Sequence, residues 1–315
     1  MAPALPPSTE VLHTEAITYT SKWAQGFRIH TRHSDTSEES YFMKISTGHH
    51  GLLALHGEFQ GTTAMYALAP SFCPRPIAHG TLHTHPDAHF YLCTFHHFHP
   101  ASTPLHPLLF CKQLAALHIA SSSPTGKFGF HCPTYSGDLP QDNTWTDSWE
   151  ECFTSGLRHV LTMREQRGGK SEELNALLPG LFGVVIPRLL RPLESAGRKI
   201  TPALVHGDLW CGNTGVVEAE TGEAMVFDPA SLWAHNEYEL GNWRPARNNL
   251  RHCIPVYQAL VAPSPPEADF DDRNALYSMR FNLHAAALFP LGGGIYPREI
   301  RRLIAKLAGG EAEAE

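Results

Sequence analysis

The sequence predicts an α+β protein of two unequal lobes, a small β-rich lobe followed by a larger, mainly helical one. Three observations lead there. Before residue 100, short stretches of alternating apolar and polar residues surround one long helical pattern. Near residue 100 the alternation gives way to runs with helical periodicity. Within those runs one turn-rich patch, "LVHGDLWCGNTG" (Leu204 to Gly215), is followed by two short strand patterns. The expected divisions are a flexible N-terminus (1–14), the small lobe (15–99), the large lobe (100–308) and a disordered tail (309–315).

Composition sets the class. The chain has 315 residues, 42% apolar and 17% charged, enough to build a sizeable buried core. A net charge of −7 without a long basic run argues against nucleic acid as a partner. Apolar runs such as "ALLPGLFGVVIP" are short and broken by Pro and Gly, so no membrane span is expected. "MAPALPPSTE" lacks the basic and apolar regions of a secretory signal. Seven cysteines without a C-x-x-C pair suit a reducing compartment, so a cytoplasmic location is expected, with mitochondria left open. The 21 histidines include six between His83 and His99, yet a strand pattern runs through them and would point them to opposite faces. Solvated or hydrogen-bonded imidazoles explain them better than a structural metal.

The elements follow in order. "ITYTSKWAQGFRIHTR" reads as a hairpin with its turn at Gln25-Gly26. "SYFMKIS" is a short apolar strand holding a single Lys, and "HHGLLALHGEFQGTTAMYALA" is a helix that stops before Pro74 and Pro76. "AHFYLCTF" is a further strand. Helices then cover "LHPLLFCKQLAALHIAS", "TDSWEECFTSGLRHVLTMREQ" (N-capped by Asp147 or Thr146) and the interrupted "SEELNALLPGLFGVVIPRLLRPLES". "VVEAE" and "AMVFD" form strands around a Thr221-Gly222 turn, and the last third is helical.

Five residues in these elements suggest chemistry. The hairpin returns Asp228 beside Asn213, and two oxygen ligands on adjacent loops suit Mg²⁺, which completes its shell with waters and nucleotide phosphates. Asp208, five residues before Asn213, is placed to accept a proton from an attacking hydroxyl, and its ordinary pKa near 4 would suffice. Lys44 stands alone in an apolar strand, where an unpaired ammonium is costly, and Glu58 on the next helix would hold it. Protein kinases use this order of parts: strand Lys, helix Glu, an Asp-x4-Asn loop and a metal-binding Asp. Each part alone has a plainer explanation. A lone Lys more often snorkels, and Asp and Asn are common turn residues. Together, in this order and spacing, they favour phosphoryl transfer.

"HGDLWCGN" followed by "FDPASLWAHNEYEL" resembles the fructosamine-3-kinase (ketosamine-3-kinase) family, within the protein-kinase-like superfamily that includes aminoglycoside phosphotransferases. "YFMKIS", "GEFQG", "CPRPIAHG" and "TGKFGFHCPTYSGDLPQDNTWTDSWEECF" extend the resemblance over about residues 15 to 300. It implies a bilobal protein-kinase-like fold and an ATP- and Mg²⁺-dependent kinase acting on the 3-hydroxyl of ketosamines, as a deglycation activity. Asp208 would be the catalytic base, Asn213 and Asp228 the metal ligands, and Lys44 the phosphate-binding residue held by Glu58. Cys93 to Phe95 would be the hinge facing adenine, Trp210 a stacking surface for the sugar, and His206 a brace for the loop. Glycated proteins or small ketosamines would be the partners, and the chain a monomer or weak homodimer. A small-molecule kinase of the aminoglycoside type and a catalytically silent binding module are the alternatives. The sequence departs from the family in a glycine-rich loop reduced to Gly26, with no cysteine there, in the Cys-Thr-Phe hinge and in "NWRPARNNLRHCIPVY" after "EYELG".

Overall fold

Five antiparallel strands and one long helix build the N-terminal lobe of the computed structural model, which describes residues 5–17, 22–290 and 296–307. The strands are β1 (Glu10–Ile17), β2 (Gln25–Arg32), β3 (Glu38–Thr47), β4 (Pro76–Leu82) and β5 (His85–Thr94), in the spatial order β1-β2-β3-β5-β4. Helix α1 (Gly48–Leu68) lies across one face. Alternation along the strands divides the lobe as expected of a pleated sheet. Ile29, Tyr41, Met43, Phe90 and Leu92 fill one face, while Tyr91 and Cys93 meet Leu55 of α1 on the other.

Several boundaries differ from the sequence reading. Gln25 and Gly26 form no turn: both lie in β2, where Gly26 pairs with Lys44. The flexible segment 1–14 is too long, because β1 starts at Glu10 and pairs with β2 from there, and Leu5 is buried against the sheet. The tail expected at 309–315 lies outside the described residues. Strand β4 was not anticipated, since Pro76 reads as a breaker. It begins an edge strand, the position where a missing N–H costs no ladder bond.

The second lobe is mainly helical: α2 (Pro107–Ala120), a two-residue ribbon β6 (Tyr135–Ser136) and β7 (Leu139–Pro140), then α3 (Trp149–Gly168), α4 (Glu172–Gly180) and α5 (Ile186–Leu190). Short strands β8 (Ala203–Val205), β9 (Thr214–Glu218), β10 (Glu223–Val226) and β11 (Leu232–Ala234) carry the central loops. Helices α6 (Glu237–Gly241), α7 (Ile254–Gln258), α8 (Phe270–Leu288) and α9 (Tyr296–Leu307) complete it. The core gathers around Trp149 and Tyr277, both buried, with the Trp149 indole donating to the Tyr277 hydroxyl at 2.8 Å. Neither Asp147 nor Thr146 caps α3. Ser148 is the cap residue, and the Trp149 N–H at the helix start donates instead to Glu194, 2.8 Å away, a carboxylate well placed on the positive helix end.

The stretch Glu172–Glu194 is, by length and composition, long and apolar enough to cross a membrane, contrary to the reading that Pro and Gly shorten it. Here it bends through a π-turn at Leu181–Val185 and folds into the core, burying Leu174, Leu181, Ile186, Leu189 and Leu190.

Candidate active site

A cavity of about 630 Å³ lies where the two lobes meet, and Lys44, Glu58, Asp208, Trp210, Asn213 and Asp228 all line it. Strand β3 and helix α1 supply the first two, and loops beside β8, β9 and β10 the rest.

Lys44 is buried in the middle of β3, between Gly26 of β2 and Tyr91 of β5, on the face turned to α1. Its ammonium reaches both Glu58 oxygens, at 2.7 and 2.8 Å, and Oδ1 of Asp228 at 2.6 Å. The cost of burying a lone charge is thereby met by two carboxylates. Burial raises the Glu58 pKa; Lys44 pulls it back and Asp228 adds to the rise. Asp228 stands two residues beyond β10 with φ +58°, a left-handed conformation that Asp tolerates better than most residues.

The loop from His206 to Asn213 is held from three sides. Gly207 has φ +80°, and a Cβ there would fall 2.1 Å from the Ala230 carbonyl oxygen, so only glycine fits. The Asp208 N–H donates to His206 Nδ1 at 3.2 Å, and His206 Nε2 contacts the Phe227 carbonyl at 2.9 Å. With Nδ1 accepting, Nε2 carries the proton, and the imidazole ties the Asp208 loop to the Asp228 loop. Burial lowers the His206 pKa to about 4, so the ring is neutral. Beneath the loop, Glu239 accepts the backbone N–H groups of His206 and Gly207, the latter at 3.1 Å.

Asn213 donates through Nδ2 to the Asp208 carbonyl at 2.8 Å and to its carboxylate at 3.3 Å, which orients the amide relative to the acid. Burial pushes the Asp208 carboxyl up to about 7, countered by a hydrogen bond with Ser136 and raised further by Asp228. The expectation of an ordinary pKa near 4 fails here, because the loop removes this carboxylate from water. Trp210 is 37% exposed, and its ring lies on Gly212, where a Cβ would approach it to 2.3 Å.

Such a set of groups can hold a polyphosphate at Lys44 and a divalent cation at Asn213 and Asp228, with a base at Asp208 and an apolar wall at Trp210. A family model for fructosamine kinase matches residues 8–309. The chain belongs to the fructosamine kinase family. A probable ketoamine kinase from Synechocystis is 31% identical over 85% of this chain and 82% of its own length. A chloroplastic protein-ribulosamine 3-kinase from Oryza sativa is 30% identical over 82% and 70%. The fold is that of a putative fructosamine-3-kinase from Thermobifida fusca (TM-score 0.70, 22% identity, 94% of each chain). It is also that of an aminoglycoside phosphotransferase (TM-score 0.62, 13% identity, 95% of this chain and 96% of the other). This member of the fructosamine kinase family is accordingly a phosphotransferase with a hydroxyl acceptor and a bilobal kinase-like fold.

Two of the anticipated site residues sit differently in this family member. Cys93 is buried within β5, paired with Phe42 and Pro76, and its thiol faces Leu55 and Tyr91. Phe95 gives its N–H to the Ser40 carbonyl at 3.0 Å and its ring to the Arg28 guanidinium at 4.3 Å; Thr94 gives its N–H to Arg75. Neither Cys93 nor Phe95 lines the cavity. Sequence reasoning also assigned no role to Ser136 or Arg280 beside Asp208, or to Glu239 beneath the loop. The signal for Glu239 was its place in "EYEL", next but one to a second acid, Glu237.

Proposed function

We propose that this chain transfers the γ-phosphoryl group of ATP to the 3-hydroxyl of ketosamines, the sugar adducts carried by glycated proteins or small amines. The observation that carries this reading is the Lys44 ammonium shared by Glu58 and Asp228, on a cavity that also holds Asp208 and Trp210. Lys44, held by Glu58, would grip the nucleotide phosphates. Asn213 and Asp228 would bind Mg²⁺, which neutralises charge on the phosphates; one amide and one carboxylate oxygen suit its demand for few protein ligands. Asp208 would take the proton as the sugar oxygen bonds to phosphorus and the bond from phosphorus to the β,γ-bridging oxygen breaks. A carboxylate raised by burial is a stronger base than one in water, which favours that transfer. Most of the rate would come from positioning and charge neutralisation.

The backbone N–H groups of Thr94 and Phe95 are already engaged. The part of the hinge that offers backbone groups to adenine would then be His96 to Phe98, where the chain leaves β5. Trp210 would stack on the sugar. Seven cysteines, all free, support a reducing compartment such as the cytoplasm.

The test is phosphate transfer from ATP·Mg²⁺ to ribulosyl-lysine, fructosyl-lysine and an aminoglycoside panel, with Asp208→Ala as control. Turnover on a ketosamine that vanishes in the variant supports the proposal. Turnover confined to aminoglycosides, or nucleotide binding without turnover on any acceptor, overturns it.

A further inference from the structure

Outside the residues that line the cavity, the β1–β2 ribbon gathers His13, Glu15 and His30 so that one ligand atom of each lies within 4.8 Å of the others. We infer that this triad is a transition-metal site, best suited to Zn²⁺, at the β1 edge of the N-terminal sheet.

The strand register builds it. His13 and Glu15 are two residues apart in β1 and so share a face, and His30 stands directly opposite His13 in β2. That pairing depends on an irregularity: Val11 pairs with Thr31, but the next partner of His30 is His13, not Leu12. Leu12 is the extra residue of a β-bulge, and without it His13 would turn to the other face. Bulges of this kind re-aim side chains.

The local contacts fit a ligand set. Nε2 of His30 lies 3.1 Å from Oε1 of Glu15, close to the ~3.4 Å edge of a tetrahedral zinc shell with bonds of about 2.1 Å. The other nitrogen of His30 faces the Ser40 hydroxyl at 3.5 Å, which orients the ring as outer partners of ligating histidines do. The His13 and His30 rings are stacked 3.9 Å apart at 14°, and on binding the exposed His13 ring would turn out of that stack to present its nitrogen at a third vertex. Arg28 is the competing cation. Its Nη1 is 3.7 Å from Glu15, beyond hydrogen-bond length, and its guanidinium is drawn away by the Ser40 hydroxyl and the Phe95 ring. Two imidazoles and a carboxylate, leaving one position for water, are a donor set that zinc accepts.

The site would also fasten the ribbon. β1 is an edge strand whose residues are mostly exposed, and the connection from β1 to β2 carries Lys22, Trp23 and Ala24 to the cavity wall. A cross-strand ion adds the link that packing does not supply.

The experiment is calorimetric titration of Zn²⁺ into tag-free, chelator-treated full-length protein, with Co²⁺ absorption as a second reading. We expect one site per chain with micromolar affinity, the intense visible bands of four-coordinate Co²⁺, and a melting point raised by a few degrees. His13→Gln and His30→Gln should each weaken that site at least tenfold. His85→Gln, which removes an exposed imidazole elsewhere, should leave it intact. Equal affinity and stoichiometry in the His13→Gln/His30→Gln double variant, or weak octahedral Co²⁺ spectra alone, would overturn the assignment.

Discussion

The ammonium of Lys44 touches Asp228 across the interlobe cleft at 2.6 Å while holding Glu58 of its own lobe at 2.7 and 2.8 Å. One buried charge therefore joins the sheet, α1 and the loop after β10. Removing it leaves two carboxylates facing each other with no cation between them, which is the costly way to break a buried ion pair.

Lys44→Met should lower stability by about 3 kcal/mol, and adding Glu58→Gln should restore more than half of that loss, because the repulsion goes with the second charge. Both variants should lose at least ~100-fold in kcat/KM with a ketosamine, since neither has a cation for the phosphates. Urea unfolding and steady-state kinetics on the four members of the cycle separate the two effects. Additive stability losses would show that Lys44 does not balance Glu58.

Trp210 gives a test of acceptor recognition that spares the phosphate end. Its ring rests on Gly212, and a Cβ on residue 212 would fall 2.3 Å from it, so Gly212→Ala must lift the indole. We expect Gly212→Ala and Trp210→Ala each to raise KM for ketosamine about tenfold while leaving KM for ATP within twofold, as fits the loss of one stacking contact. A change in KM for ATP of equal size would place Trp210 at the nucleotide instead.

Local spacing made much of this site legible. Lys44, Glu58, Asp208, Asn213 and Asp228 sit in short motifs, and the structure brings all five to one cavity. The long helix, read as 49–69, spans Gly48–Leu68, because no proline interrupts the chain before Pro70. What sequence left hidden depends on partners distant in the chain. Reading Cys93 to Phe95 as the hinge could not take account of Arg75 and Ser40, whose carbonyls accept the N–H groups of Thr94 and Phe95. Glu239 reads as an ordinary helix carboxylate until the fold sets it under His206 and Gly207. Strand β4 was obscured by prolines that an edge position tolerates.

Glu239 has no exposed surface, and its hydrogen bonds go to the backbone of the loop that carries Asp208. Glu239→Ala would leave those buried N–H groups without an acceptor, at about 2–4 kcal/mol for the pair. Glu239→Gln keeps one acceptor oxygen and should lose about half as much. We expect kcat to fall in step with displacement of Asp208, at least ~100-fold for Ala and less for Gln, with KM for ATP little changed. An active, stable Glu239→Ala enzyme would mean that the loop holds its shape unaided.

Four buried histidines set the acid limit of the fold. Burial lowers the pKa of His118 and His284 to about 3 and that of His206 and His235 to about 4. Each ring is neutral when folded and takes up a proton near pH 6.5 when unfolded. Between pH 6.5 and each folded value the unfolded chain thus binds more protons, so stability falls as pH falls through that window. Glu239 acts in the opposite sense. Burial raises its pKa to about 8, so its contribution is full below the ordinary carboxylate value and is lost as pH rises through about 8. Asp208 and Glu58, also raised by burial, act with it, and the four histidines outnumber these three carboxyls. His235 hydrogen-bonds Tyr277 and Ser264, both at 2.9 Å, contacts that a neutral amide can partly replace. His235→Gln should therefore cost stability at neutral pH, yet lose about 2 kcal/mol less than the parent protein between pH 6.5 and 4.5. Urea unfolding at the two pH values measures the difference directly. Parallel losses in parent and variant would mean that His235 is protonated in the folded chain, which its burial between Tyr277 and Ser264 opposes.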